Sequence, residues 1–139
     1  MTVLIIDGQG GRLGQQLVKA MRERFPKVAL IAVGTNSIAT AAMIKGGAAQ
    51  AATGENAVCV ACRRADIIVG PIGIVVADAL LGEITPTMAQ AVGQSMAKRV
   101  LLPMNRCDTL VAGVGPQSMT ELVADALDKI AALIGEASC

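Results

Sequence analysis

Short aliphatic runs alternate along the chain with longer stretches in which apolar positions recur every three or four residues, the signature of repeated βα units and a parallel sheet. Strand one reads Val3 to Asp7, and the next segment puts Leu13, Leu17, Val18, Met21 and Phe25 on one helix face before Pro26 stops it. Strand two, Val28 to Val33, leads through Gly34-Thr35-Asn36-Ser37 into a helix from Ile38 to Lys45, closed by Gly46-Gly47 as a left-handed cap. A weak third strand covers Ala48 to Ala52, Thr53 caps a helix from Glu55 to Arg63, and Asp66 to Gly70 is the fourth strand. Ile72 to Leu81 is apolar nearly all round except at Asp78, which predicts a helix buried on most sides. Thr85-Pro86 supplies an N-cap and a first-turn proline for a helix to Ala97. Strand five is Val100 to Met104 and strand six Thr109 to Gly113, and Ser118-Met119-Thr120-Glu121 is a capping box opening a last helix with Leu122, Leu127, Ile130, Leu133 and Ile134.

The expectation is a single α/β domain over residues 1–139, Rossmann-like, with a doubly wound and mostly parallel sheet of about six strands. Its order would be 3-2-1-4-5-6, and the reversal between strands one and four opens a crevice at the strand ends.

Between strand one and its helix stand Gly8, Gln9, Gly10, Gly11, Arg12, Leu13 and Gly14. Helix N-termini present unpaired N–H groups and a positive dipole end, and glycines keep side chains away from an approaching anion. The spacing is not GxGxxG, because Leu13 stands three residues after Gly10; it fits GxxGxxG through Gly8, Gly11 and Gly14. That form resembles the turn of extended and atypical short-chain dehydrogenases. Either a pyrophosphate sits here or this is a tight βα turn without a ligand. The close approach required of a ligand predicts that Gly11→Val abolishes binding in a protein that still folds.

Where a dinucleotide site usually carries an acid for the adenosine ribose, strand two ends in the neutral Thr35, Asn36 and Ser37. These would accept a 2′-phosphate, which tilts the expectation from NAD towards NADP; equally, Asn36 or Ser37 simply caps the second helix. Gly70, Pro71 and Ile72, with Gly73, end strand four facing the far half of a dinucleotide, either to let a flat ring approach or as a strand-to-helix turn. At the end of strand five, Asn105 or Arg106 could meet a phosphate or carboxylate, unless Arg106 pairs with Asp108. Asp78, Glu55 and Asn56 complete the polar groups that could converge, Asp78 needing a partner or a subunit boundary.

Composition narrows the chemistry. The chain has no His, no Tyr and no Trp, so a Tyr-based proton relay, a His triad and a His metal site are excluded. No GK dipeptide occurs, which removes a Walker A loop. Cys59-Val60-Ala61-Cys62 falls late in a helix, where no dipole lowers a thiol pKa, and reads as buried structural thiols. Net charge is +1 and the Lys and Arg residues never cluster beyond pairs, so the basic stripe of a nucleic-acid binder is missing. The uncharged run between Lys27 and Lys45 is broken by Gly34 to Ser37, which argues against a membrane span. Strand-like sequence from Thr2 with no basic leader before it predicts a cytoplasmic protein. The Met- and Ala-rich stretch between Ile72 and Ala97 reads as a surface for a homo-oligomer, a dimer first.

The blocks IIDGQGG, GTNSIATAAM, TGENA, ADIIVGPIGI, LGEITP and NRC resemble an uncharacterised bacterial family of short Rossmann-like proteins known only as a domain of unknown function, from about Val3 to Asp108. The resemblance implies a nucleotide-binding-like fold and no established activity. It draws attention to Gly8 to Gly14, Gly34 to Ser37, Thr53 to Asn56, Gly70 to Gly73 and Asn105-Arg106. Two functions remain open. One is an NAD(P)-binding protein with pyrophosphate on Gly8 to Gly14, acting if an enzyme in hydride transfer, for instance as an oxidoreductase subunit. The other is a non-catalytic sensing or scaffold protein that binds a mononucleotide or another phosphorylated metabolite.

Overall fold

The computed structural model describes residues 1–104 and 108–138. Five parallel strands are ordered β3-β2-β1-β4-β5. They are β1 (Thr2–Asp7), β2 (Ala29–Gly34), β3 (Gln50–Thr53), β4 (Ile67–Pro71) and β5 (Lys98–Leu102). The helices are α1 (Arg12–Arg24), α2 (Ser37–Lys45), α3 (Glu55–Arg64), α4 (Pro86–Gln94) and α5 (Met119–Ser138).

β1 is central, pairing with β2 and β4 so that Val3 lies between Leu30 and Ile67. Its alternation divides the core in two. Val3 and Ile5 face Leu17, Val18 and Met21 of α1, Met43 of α2 and Leu127 and Ile130 of α5. Leu4 and Ile6 face Val58 of α3 and Met88 and Val92 of α4. Strands buried on both faces need continuous aliphatic runs, which explains why VLII and IIV lack the polar alternation of a half-exposed sheet.

Three expectations are corrected. Thr109 to Gly113 forms no strand: Leu110 is 95% exposed, Gly113 adopts φ 83°, and Gly115-Pro116 follow, so among the described residues the local alternation has no neighbouring strand to bury against. Ile72 to Leu81 is not a buried helix. A single 3₁₀ turn, Ile72–Val75, gives way to a loop that closes on itself through Asp78 N–H to Ile84 O (2.7 Å) and Ile84 N–H to Ala79 O (3.1 Å). Leu80 and Ile84 anchor this loop in the core, while Asp78 is exposed and needs no buried partner. Finally, Gly54 (φ 101°) and not Thr53 precedes α3; the Thr53 hydroxyl instead meets that of Thr40 at 2.7 Å.

Other signals hold. The Thr85 hydroxyl accepts from Met88 N–H at 3.1 Å with Pro86 in the first turn, and Ser118 Oγ accepts from Glu121 N–H at 3.1 Å. α4 ends at Gln94, short of Ala97. Its apolar positions Met88, Ala89 and Val92 pack inward, while Met96 beyond its end is exposed, as is Leu81 in the loop before it.

Candidate functional site at the glycine turn

Register decides what stands beside the turn. Asp7 pairs with Gly34 and Gly34 with Thr53, so β1, β2 and β3 end level and Gly8, Thr35 and Gly54 form a row at the sheet's edge. Thr35 N–H reaches back to Asp7 O (3.0 Å) and Gly54 N–H to Gly34 O (2.9 Å).

The turn itself is partly satisfied from within. Asp7, 2% exposed, accepts Gly8 N–H on Oδ1 (2.8 Å) and Gly14 N–H on Oδ2 (2.7 Å), so a carboxylate braces the third amide of α1 from below. Burial raises the Asp7 pKa, the two backbone amides lower it and the Glu83 charge raises it, with a net upward shift. Gly11 N–H bonds Gly8 O at 2.9 Å. Among the described residues the amides of Gly10, Arg12 and Leu13 have no partner, and all three residues line a cavity of about 230 Å³ with Asp7, Met104 and Met119.

The glycines serve different ends. A side chain at Gly11 (φ 74°) would come within 2.7 Å of Ala39 Cα, and one at Gly14 within 2.7 Å of Met43 Sδ, so both are fixed by the packing of α1 on α2. This corrects the expectation for Gly11→Val, which would disturb the fold itself. A side chain at Gly10 would meet nothing within 4 Å. Gly10 is the open position.

Sequence reasoning missed Glu83. It lies in the loop between Val76 and Thr85, where Asp78 (φ 68°), Leu80 (58°) and Leu81 (56°) all hold left-handed backbone that non-glycine residues rarely adopt. This conformation sets Leu80 against Gly8 and carries Glu83 to the end of β2. There Glu83 Oε1 accepts three hydrogen bonds, from Gln9 N–H (2.8 Å), Thr35 Oγ1 (2.7 Å) and Asn36 Nδ2 (2.8 Å). Burial pushes the Glu83 pKa up, but these three donors outweigh it and hold the group below its ordinary value. Asn36 also caps α2, its Oδ1 accepting Ala39 N–H (2.8 Å), and its second Nδ2 hydrogen goes to Gln9 O (3.0 Å). Ser37 is exposed at the first position of α2. The only local hint of Glu83 was its place in LGEITP; its distance along the chain from Thr35 hides the pairing from any periodicity.

The structure gathers Gly8 to Leu13, Thr35 and Asn36 at one edge. Gly70 and Pro71 are instead buried in β4, where a side chain at Gly70 would run into Ile6 O, and Ile72 starts the 3₁₀ turn. That is the strand-to-turn role. Glu55 accepts from the Thr85 hydroxyl (2.6 Å), tying α3 to α4, and Asn56 is exposed. Asn105 and Arg106 lie outside the described residues. Cys62 is buried in α3, where burial and then the nearby Cys59 push its thiol up to about 11, which suits a structural thiol. A second hollow, about 580 Å³, shares Gln9 with the glycine-turn cavity and runs along Val76 to Leu81 and Asp108-Thr109.

Among the described residues no three His, Cys, Asp or Glu groups are placed to hold a metal ion, and no helix is long and apolar enough to cross a membrane. One family, described as Domain of unknown function (DUF3842), matches residues 2–135. No curated protein and no solved structure matches the chain.

Proposed function

The chain belongs to the DUF3842 family, whose description names no activity, and from its site we propose that it binds a nucleotide, with an NAD-type dinucleotide as first candidate and its diphosphate seated on the glycine turn. One observation carries the reading: the amides of Gly10, Arg12 and Leu13, without a partner among the described residues, line a cavity at the N-terminus of α1, beside the reversal in strand order. Unpaired amides and the positive helix end favour an anion, and Arg12, an exposed residue that lines the cavity, adds a positive charge to the same turn. The residues fit a diphosphate. Bound there, a nicotinamide cofactor would supply hydride transfer; the chain's part would be to hold it, with the substrate enclosed by a second subunit or a partner.

A second reading draws on a separate observation. The larger hollow lies on the loop side of Gln9, it is lined by Ala, Val and Leu with Asp78, Asp108 and Thr109, and the chain has no His or Tyr for proton transfer. A sensing protein for one phosphorylated molecule of mononucleotide size would use these features.

A thermal-shift panel of NADP, NAD, ADP-ribose, AMP and FMN separates the two. Binding to the folded state raises stability by about 2.7 kcal/mol at a ligand concentration of about 100 times Kd. Stabilisation by ADP-ribose and NAD supports the dinucleotide reading, and a response to AMP or FMN alone supports the second. No response to any of them contradicts both.

A further inference from the structure

Resting on the dinucleotide reading, we propose that Glu83 is the specificity-determining residue of the site: its carboxylate takes the place of the ribose acid missing from the end of β2, and selects a free 2′-hydroxyl over a 2′-phosphate. The neutral Thr35, Asn36 and Ser37 pointed the other way, towards a phosphorylated ribose. The hydrogen-bond inventory at that edge reverses the conclusion.

A 2′-phosphate needs donors. Thr35 has one hydroxyl hydrogen, and it is committed to Glu83 Oε1 at 2.7 Å. Asn36 has two amide hydrogens, one on Glu83 Oε1 (2.8 Å) and one on Gln9 O (3.0 Å), while its oxygen caps α2. Of the three residues only Ser37 keeps a side-chain donor without a partner among the described residues. A ribose diol needs an acceptor instead. Glu83 Oε1 is filled by three donors, whereas Oε2 has no partner among the described residues, so the carboxylate is fixed through one oxygen and offers the other. The bond from Gln9 N–H to Oε1 holds the carboxylate against the glycine turn, one residue before Gly10, whose amide is assigned to the diphosphate. The same charge repels a phosphate on the ribose, and like charges brought together discriminate strongly.

The test is calorimetric titration of NAD and NADP into the wild-type chain and into Glu83→Gln, which keeps an oxygen for Thr35 and Gln9 but removes the charge. The wild type is expected to bind NAD at least about tenfold more tightly than NADP, and Glu83→Gln to bring the two within about threefold. The ratio of two affinities in one preparation is insensitive to a fraction of unfolded protein. Equal binding or a preference for NADP in the wild type overturns the role of Glu83 and leaves the nucleotide reading standing, as does a tenfold preference that survives in Glu83→Gln. Should the variant not fold, equal binding or a preference for NADP in the wild type still overturns the inference. Binding of neither dinucleotide overturns the inference together with the reading it rests on.

Discussion

At the scale of single residues, four glycines in one turn do unlike things. Gly11 and Gly14 are held by α2, and Gly8 by Thr35, Leu80 and Glu83, while Gly10 borders open space. A valine at position 10 is therefore the clean probe. Gly10→Val is expected to leave the melting temperature within about 2 °C of wild type and to weaken ADP-ribose binding by at least about tenfold in calorimetry. Gly11→Val should lower the melting temperature by several degrees without ligand, because a left-handed backbone and the Ala39 backbone both reject it. The sequence marked the turn but could not rank its glycines. That ranking depends on how α1 meets α2, which no spacing within the turn encodes.

At the scale of elements, the legible features were the ones written locally. Thr85-Pro86 and the Ser118 to Glu121 box open their helices as read, and the strands begin or end within a residue or two of the aliphatic runs. Thr85 also donates to Glu55, so one hydroxyl both caps α4 and joins it to α3. Thr85→Ala is expected to cost about 1 kcal/mol, roughly 3–5 °C in melting temperature for a domain of this size, measured by circular dichroism. The stretches misread as a sixth strand and a buried helix share one cause. Thr109 to Gly113 and Ile72 to Leu81 have suitable apolar content, but burial depends on what the rest of the chain places nearby, and Leu81 ends up 97% exposed. The loop's own hydrogen bonds replace the helix, and they deliver Glu83.

At the scale of the whole molecule, an all-aliphatic core and the alternation of strand and helix foretold a doubly wound sheet, and the order β3-β2-β1-β4-β5 is the expected one without its last strand. What could not be foretold was the charge at the crevice, because Asp7 and Glu83 arrive there from separate βα units. Their linkage to stability has opposite signs. The raised pKa of Asp7 favours folding in acid and that contribution fades as pH rises through the shifted value; the lowered pKa of Glu83 favours folding above its ordinary 4.5 and that contribution is lost as pH falls through the shifted value. The stability difference between wild type and Glu83→Gln should therefore shrink between neutral pH and about pH 3, as followed by denaturant unfolding; a difference that grows towards acid would reverse the sign assigned to Glu83. The central claim is that a nucleotide phosphate rests on the free amides at the start of α1. Titrating ADP-ribose into isotope-labelled protein and following backbone amide resonances tests it most directly. The amides of Gly10, Arg12 and Leu13 should move first and farthest, with that of Gly14, held by Asp7, moving less; saturable binding that leaves those three resonances in place would contradict the account.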